Sequence, residues 1–174
     1  MALRLILTEP NELLRQKSLP VDKVDAELQN LMNDMLDTMY AAPGIGLAAI
    51  QVGVPKRIIV LDISRNEEPK KPMFFINPEI VEKAKNNSTY EEGCLSVPGQ
   101  FAEIERPESC HLKFLDYNGQ PQEIKAEGML ATCIQHEIDH LEGILFIDYL
   151  SKLKKSMIVK KLSKQKKQLE RIVV

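Results

Sequence analysis

Three stretches of this chain carry apolar residues at helical spacing, and the segments between them alternate or run in short β-branched bursts. From Asp25 to about Tyr40, Leu28, Leu31, Met32, Met35, Leu36 and Met39 follow the i, i+3, i+4, i+7 rule. That pattern predicts an amphipathic N-terminal helix with Asp25 as its N-cap. In the second stretch Leu130, Ile134, Ile138 and Leu141 form one apolar stripe, Met129 and Cys133 fall on the side of His136 and His140, and only Gln135, Asp139 and Glu142 point elsewhere. Such a helix belongs in the middle of a domain, with Gly143 as its C-cap. The third helix runs from about Tyr149 toward the C-terminus. Its stripe is clear through Leu150, Leu153 and Met157, then rotates toward Ile158, Leu162 and Leu169, so its last turns are expected to pack only partly.

Strand signals fill the remainder. Residues 3–8 read as a short strand or extended arm stopped by Pro10, and Leu13 to Pro20 as irregular chain. Arg57 to Ile63 and Met73 to Ile76 are strands, Ile80 to Ala84 continues extended, and Arg65–Pro72 and Asn86–Ser88 are turns. Phe101 to Glu105, Ser109 to Tyr117 and Gln122 to Ala126 are further strands, the last two joined by Asn118-Gly119. The pattern predicts an antiparallel sheet folded round the second helix. Ala41 to Gly53 reads as a loop of residues with little or no side chain, into which something can approach closely. It lacks the Lys-Ser/Thr and the further glycine of a phosphate loop. Gln51 is its one polar group suited to face a ligand, with a satisfied buried amide as the alternative.

The second helix also carries chemistry. His136-Glu137-Ile138-Asp139-His140 places two imidazoles one turn apart, where both reach one ion, with Glu137 beside them as acid and base. The chain has only 3 histidines, and two of them are here. The third ligand decides the class of site. The metzincin spacing fails, because Phe146 stands where its histidine would be. Glu142 points away from the histidines, Glu170 lies in a basic tail, His111 alternates with Leu112 in a strand, and Cys133 would have to strain back from one turn before His136. Cys94 remains, next to Gly93 where backbone can come close to the helix. A thiolate and two imidazoles leave a fourth position open, which is the mark of catalysis rather than structure.

Composition bounds the setting. At 174 residues, 44% hydrophobic and 28% charged, the chain reads as one globular domain over residues 1–174. No apolar run is long enough for a membrane span and the first ten residues are too short for a signal peptide, so a cytosolic protein is expected, with neither membrane nor DNA as partner. Its 3 cysteines suggest free thiols or metal ligation rather than disulfides. The net charge of −2 hides an asymmetry: residues 152–171 hold nine Lys or Arg against Glu170, which leaves −10 on the rest. The basic tail suggests a polyanionic partner, with a solvated face that aids solubility as the alternative.

Gly44-Ile45-Gly46-Leu47-Ala48-Ala49-Ile50-Gln51, Glu92-Gly93-Cys94-Leu95-Ser96 and Gln135-His136-Glu137-Ile138-Asp139-His140-Leu141-Glu142-Gly143 together resemble the three signature motifs of the peptide deformylases, in order and at similar separations. The resemblance implies an α+β fold, with antiparallel sheets packed around the central metal-binding helix and a helix at each end of the chain. It implies removal of the formyl group from N-formylmethionine on nascent polypeptides, and a bacterial cytoplasm. Carried onto this sequence, it makes Cys94, His136 and His140 the metal ligands and Glu137 the acid/base. Gln51 and the Leu95 backbone N–H become donors to the developing oxyanion. Gly46 approaches the substrate backbone; Ile45, Met129 and Cys133, with Tyr90 and Phe101, form the methionine pocket. It implies Fe²⁺ as the physiological ion, with Zn²⁺, Ni²⁺ or Co²⁺ able to occupy the site, and ribosome docking through the C-terminal helix. Glu92 and Arg106 are either an anchor behind the ligands or a surface ion pair.

Overall fold

A computed structural model describes residues 2–172. Helix α1 (Ala26–Ala41) starts where its cap predicts, with the Asp25 carboxylate accepting from the Leu28 N–H at 3.0 Å. Five antiparallel strands in the order β1 (Gly46–Ala48), β2 (Ile58–Leu61), β3 (Met73–Lys83), β6 (Ser109–Leu115), β7 (Pro121–Glu127) form the main sheet. Strands β4 (Asn87–Cys94) and β5 (Val97–Pro107) form a separate two-stranded hairpin. Helix α2 (Gly128–Leu141) follows, then a 3-10 turn at Phe146–Tyr149, then α3 (Lys152–Ile172). This is the expected α+β architecture of antiparallel sheets and three helices.

The two long helices of the body cover opposite faces of the sheet. Strand β2 shows why: all four of its residues are buried, with Ile58 and Val60 packed into the α1 cluster and Ile59 and Leu61 into the α2 cluster. Leu28, Met32, Met35 and Met39 of α1 lie against Leu47 and Ile76, while Ile134 and Leu141 of α2 lie against Phe75 and Leu112. Each such large apolar side chain contributes about 1.5–3 kcal/mol on burial. A third cluster of Val97, Ile104, Leu145, Phe146, Ile147 and Leu162 ties α3 to the hairpin.

Helix α2 is as buried as its pattern predicts, but its polar side does not face water. Gln135 is buried and donates to the Pro107 and Ala131 carbonyls, Asp139 pairs with Arg106, and Glu142 pairs with Arg57 and Lys17. Gly143 ends the helix at φ +74, and a Cβ there would sit 2.7 Å from the Arg15 carbonyl carbon. Only glycine fits both the left-handed backbone and that contact.

Several boundaries differ from expectation. The loop Ala41–Gly53 holds strand β1 and a 3-10 turn, Ala49–Val52, because β1 pairs with β2 from Gly46↔Leu61 to Ala48↔Ile59. Met73–Lys83 forms one strand instead of two, interrupted by register shifts around Asn77, whose φ is +50. The turn expected at Asn86–Ser88 ends early, and β4 begins at Asn87 because hairpin pairing with β5 extends from Pro107 to Val97. Of the strand or arm open for residues 3–8, the chain forms the arm, with the Leu7 N–H on the Gln51 carbonyl at 2.7 Å. Helix α3 starts at Lys152, later than Tyr149, because the 3-10 turn intervenes, held by Asp148 accepting from the Leu145 N–H at 3.0 Å.

Candidate metal centre

Cys94 lies where the hairpin register shifts between Gly93 and Cys94, so the strand end bends toward α2. His136 and His140 occupy successive turns of that helix. Their ligand atoms and the Cys94 thiol all lie within 4.8 Å of one another, with Cys94 Sγ 3.3 Å from His140 Nε2. His136 Nδ1 donates to Glu92 Oε1 at 2.7 Å, which leaves Nε2 for the cluster. Glu92 is in turn gripped by Arg106, Nε to Oε2 at 2.6 Å and Nη2 to Oε1 at 2.9 Å. Arg106 Nη1 continues to Asp139 Oδ2 at 2.8 Å, where the Tyr149 hydroxyl also donates at 2.7 Å. Of the two readings open for Glu92 and Arg106, the surface pair is ruled out: both are buried, at 6% and 4% exposure.

Electrostatics fit a cation. Burial pulls His136 down, but the Cys94 thiol and the Glu92 carboxylate push harder and hold it well above the usual imidazole range. That proton must leave Nε2 before the imidazole can serve as a ligand. Burial holds His140 well below that range, neutral as a ligand must be. One sulfur and two imidazole nitrogens suit Zn²⁺ or Fe²⁺ and leave a position open.

That position faces a cavity of about 460 Å³ lined by Ile45, Gly46, Gln51, Tyr90, Leu95, Phe101, Met129, Cys133 and Glu137 among others. Glu137 is buried, its Oε2 has no hydrogen-bond partner among the described residues, and burial pushes its carboxyl up to about 7. Gly46 lies directly against it. A Cβ at Gly46 would come within 2.9 Å of Glu137 Cδ and 2.8 Å of Leu61 Cδ2, so the missing side chain is explained by packing on Glu137. Gln51 is buried; its Oε1 accepts from the Ala48 N–H at 2.8 Å and its Nε2 donates to Ser96 Oγ at 3.0 Å, 3.6 Å from Cys94 Sγ. It is therefore both a satisfied amide and a wall of the cavity. Leu95 and Ser96 make the turn between Cys94 and Val97.

Ile45, Met129 and Phe101 stand half-exposed or exposed at the mouth, and Cys133 is buried with its thiol pushed up to about 12 by burial and by Glu137. It is a protonated side chain in the wall. His111 lies apart from the cluster on β6, beside Glu123. Sequence reasoning missed Ser96 and Thr132, both near the site. The signal for Thr132 was present, since a residue four before His136 shares its helix face.

A family model described as polypeptide deformylase matches residues 3–156. The chain belongs to the peptide deformylase family. A peptide deformylase of Pelagibacter ubique is 69% identical over 174 residues, covering 100% of both chains. That of Phenylobacterium zucineum is 58% identical over 167 residues, covering 96% of this chain and 99% of its own. Among solved structures, the peptide deformylase of Ehrlichia chaffeensis in complex with actinonin superposes with a TM-score of 0.91 at 45% identity, covering 95% of this chain and 98% of that one. The Legionella pneumophila enzyme gives 0.89 at 48% identity, covering 98% and 99%. The chain is thus a hydrolase of the deformylase class, acting on N-formylmethionyl peptides, in a metal-dependent family whose relatives named here are bacterial. Among the described residues no helix is long and apolar enough to cross a membrane.

Proposed function

We propose that Cys94, His136 and His140 hold one divalent ion and that Glu137 does the proton work of formyl hydrolysis beside it. The observation that carries this reading is the buried, unpartnered Glu137 carboxylate in a cavity wall shared with the ligand cluster. When bound, the ion supplies Lewis-acid chemistry, making a water acidic near neutrality and polarising the formyl carbonyl. Glu137 Oε2 takes the water's proton and later delivers it to the departing amine, a double duty suited to a carboxyl raised to about 7. Gln51 Nε2 and the Leu95 N–H receive the charge that develops on the formyl oxygen; one such donor is worth about 2.7–4 kcal/mol. Glu92 and Arg106 keep His136 in one tautomer and orientation. Ile45 and Gly46 border the peptide backbone, and Met129 and Cys133, with Tyr90 and Phe101, border the methionine side chain.

Ferrous iron is the ion we assign in the cell, with Zn²⁺, Ni²⁺ and Co²⁺ as substitutes that the same thiolate and imidazoles accommodate. Residues 1–174 serve as one catalytic domain in the bacterial cytoplasm. The nine basic residues of the tail, on a helix exposed beyond Leu162, support docking on ribosomal RNA.

Formate release from formyl-Met-Ala-Ser tests the reading, with casein as the competing substrate of a metalloprotease. The expected result is formate from the peptide, intact casein, loss of activity on chelation and its return with Fe²⁺ under argon. Cleavage of casein without formate release would overturn it.

A further inference from the structure

The two donors assigned to the formyl oxygen come from parts of the molecule that share no ladder. Gln51 lies in the 3-10 turn that follows β1 of the five-stranded sheet, and Leu95 in the turn of the β4–β5 hairpin, which is a sheet of its own. Among the described residues no backbone hydrogen bond joins these two turns to each other. Their direct polar links run from Gln51 Nε2 to Ser96 Oγ at 3.0 Å and to Cys94 Sγ at 3.6 Å. An amide nitrogen has two protons, so at least one of those links is given up when Nε2 donates to the substrate. The spacing of the donors needs another support.

The N-terminal arm supplies it. The Leu7 N–H donates to the Gln51 carbonyl at 2.7 Å and the Glu9 N–H to the Ser96 carbonyl at 2.8 Å, so residues two apart in the arm hold one carbonyl from each turn. The arm is moored on both sides of these bonds. Toward its start, the Ala2 N–H and the Arg4 guanidinium bind Asp34, the Arg4 N–H binds Thr38 Oγ1 at 2.9 Å, and Ile6 packs into the α1 cluster. Past it, Glu9 is buried beside Arg15, which reaches Asp148 at 2.6 Å. Donors that develop no charge of their own work by being in place before the oxyanion forms, and a misplacement of about 1 Å can cost about 10²-fold in rate.

We propose that the arm is a strap that sets the separation of the two oxyanion donors, with Leu7 and Glu9 as positioning residues acting through their backbone N–H groups. The inference rests on the reading above that Gln51 and the Leu95 N–H receive the developing charge. Because such donors act in the transition state, loosening the strap lowers kcat and spares KM.

The test measures kcat, KM and bound metal of the full-length, metal-loaded enzyme on formyl-Met-Ala-Ser. Leu7→Ala keeps the N–H and trims only the side chain, while Leu7→Pro removes the N–H; each is made with Gln51 present and with Gln51→Ala. Leu7→Ala is expected within about twofold of wild type. Leu7→Pro should lose about ten- to hundredfold in kcat at unchanged KM and metal content. Gln51→Ala alone should lose about 10²- to 10³-fold, and adding Leu7→Pro to it less than about threefold more, because the strap has no side-chain donor of that turn left to place. A merely structural role would give the same loss in both backgrounds, and that result overturns the strap, as does a Leu7→Pro enzyme with full kcat or one whose KM rises instead. If Leu7→Pro does not fold, Asp34→Ala on the surface of α1 decides: it releases Ala2 and Arg4, and is expected to lower kcat about two- to fivefold at unchanged KM, whereas an unchanged kcat overturns the proposal. A Gln51→Ala enzyme with full activity removes the oxyanion reading beneath the strap; equal losses in the two backgrounds remove the strap alone.

Discussion

Helices α2 and α3 are adjacent in the chain and follow opposite rules. Every side of α2 is engaged: one stripe in the core, one face in the ligand cluster and cavity, and the polar remainder in Gln135, Asp139 and Glu142 contacts with the surrounding chain. Helix α3 is held at its start and by Ile158, Val159 and Leu162, and beyond Ser163 its described residues are exposed. The difference is physical. A helix that holds side chains to a fixed geometry needs partners on all sides, while the docking proposed for the basic helix would need only an anchor.

The largest effect should come from breaking the charge network behind α2. Arg106→Ala leaves Glu92 buried without its cation, with an expected loss of about 3–5 kcal/mol in chemical denaturation and reduced metal content, because His136 loses its fixed orientation. Next is the anchor of α3. Leu162→Ala removes its buried contact with the hairpin cluster and should cost about 2–5 kcal/mol, with kcat on short peptides preserved in the folded fraction. The Asp148 tie is smaller and pH-dependent. Burial raises its carboxyl, but Lys155, the Leu145 N–H and Arg15 outweigh burial and hold it below the ordinary value. A folded value below the unfolded one means that the tie contributes fully above about pH 4–5 and fades as pH falls through the folded value. Asp148→Asn should therefore lower Tm at pH 7 and converge with wild type in acid. The smallest effect is expected from removing residues 164–174. Tm and peptide activity should hardly change while salt-sensitive ribosome binding weakens; unchanged binding would remove the docking role. The cut must fall after Ser163, since a deletion from residue 159 would also take the buried Leu162.

The same contrast explains what the sequence could reveal. Helix α1 was legible to its cap because Leu28, Met32, Met35 and Met39 share one face and Asp25 has a single job. Strand β1 was not, since Gly46-Leu47-Ala48 has no alternation and becomes a strand only through pairing with β2. Strand β4 begins with turn-forming residues, Asn87 and Ser88, and owes its conformation to the partner strand. At the site, the spacing of His136 and His140 and the Gly-flanked Cys94 were readable, because ligand chemistry restricts residue types. The sequence offers Gly46 as a backbone approach for substrate but not the packing of its Cβ position on Glu137 and Leu61, since Gly46 and Glu137 are 91 residues apart and no local pattern encodes that contact. The choice between a buried and a surface Glu92–Arg106 pair likewise depended on the hairpin lying against α2.

The central claim is that Glu137 moves the proton while the three ligands hold the ion without it. Formate release from formyl-Met-Ala-Ser by wild type and Glu137→Ala, with bound metal quantified in both, tests it most directly. The account predicts that the variant keeps its metal and loses at least about two orders of magnitude in kcat. A variant with its metal bound and full activity would contradict it.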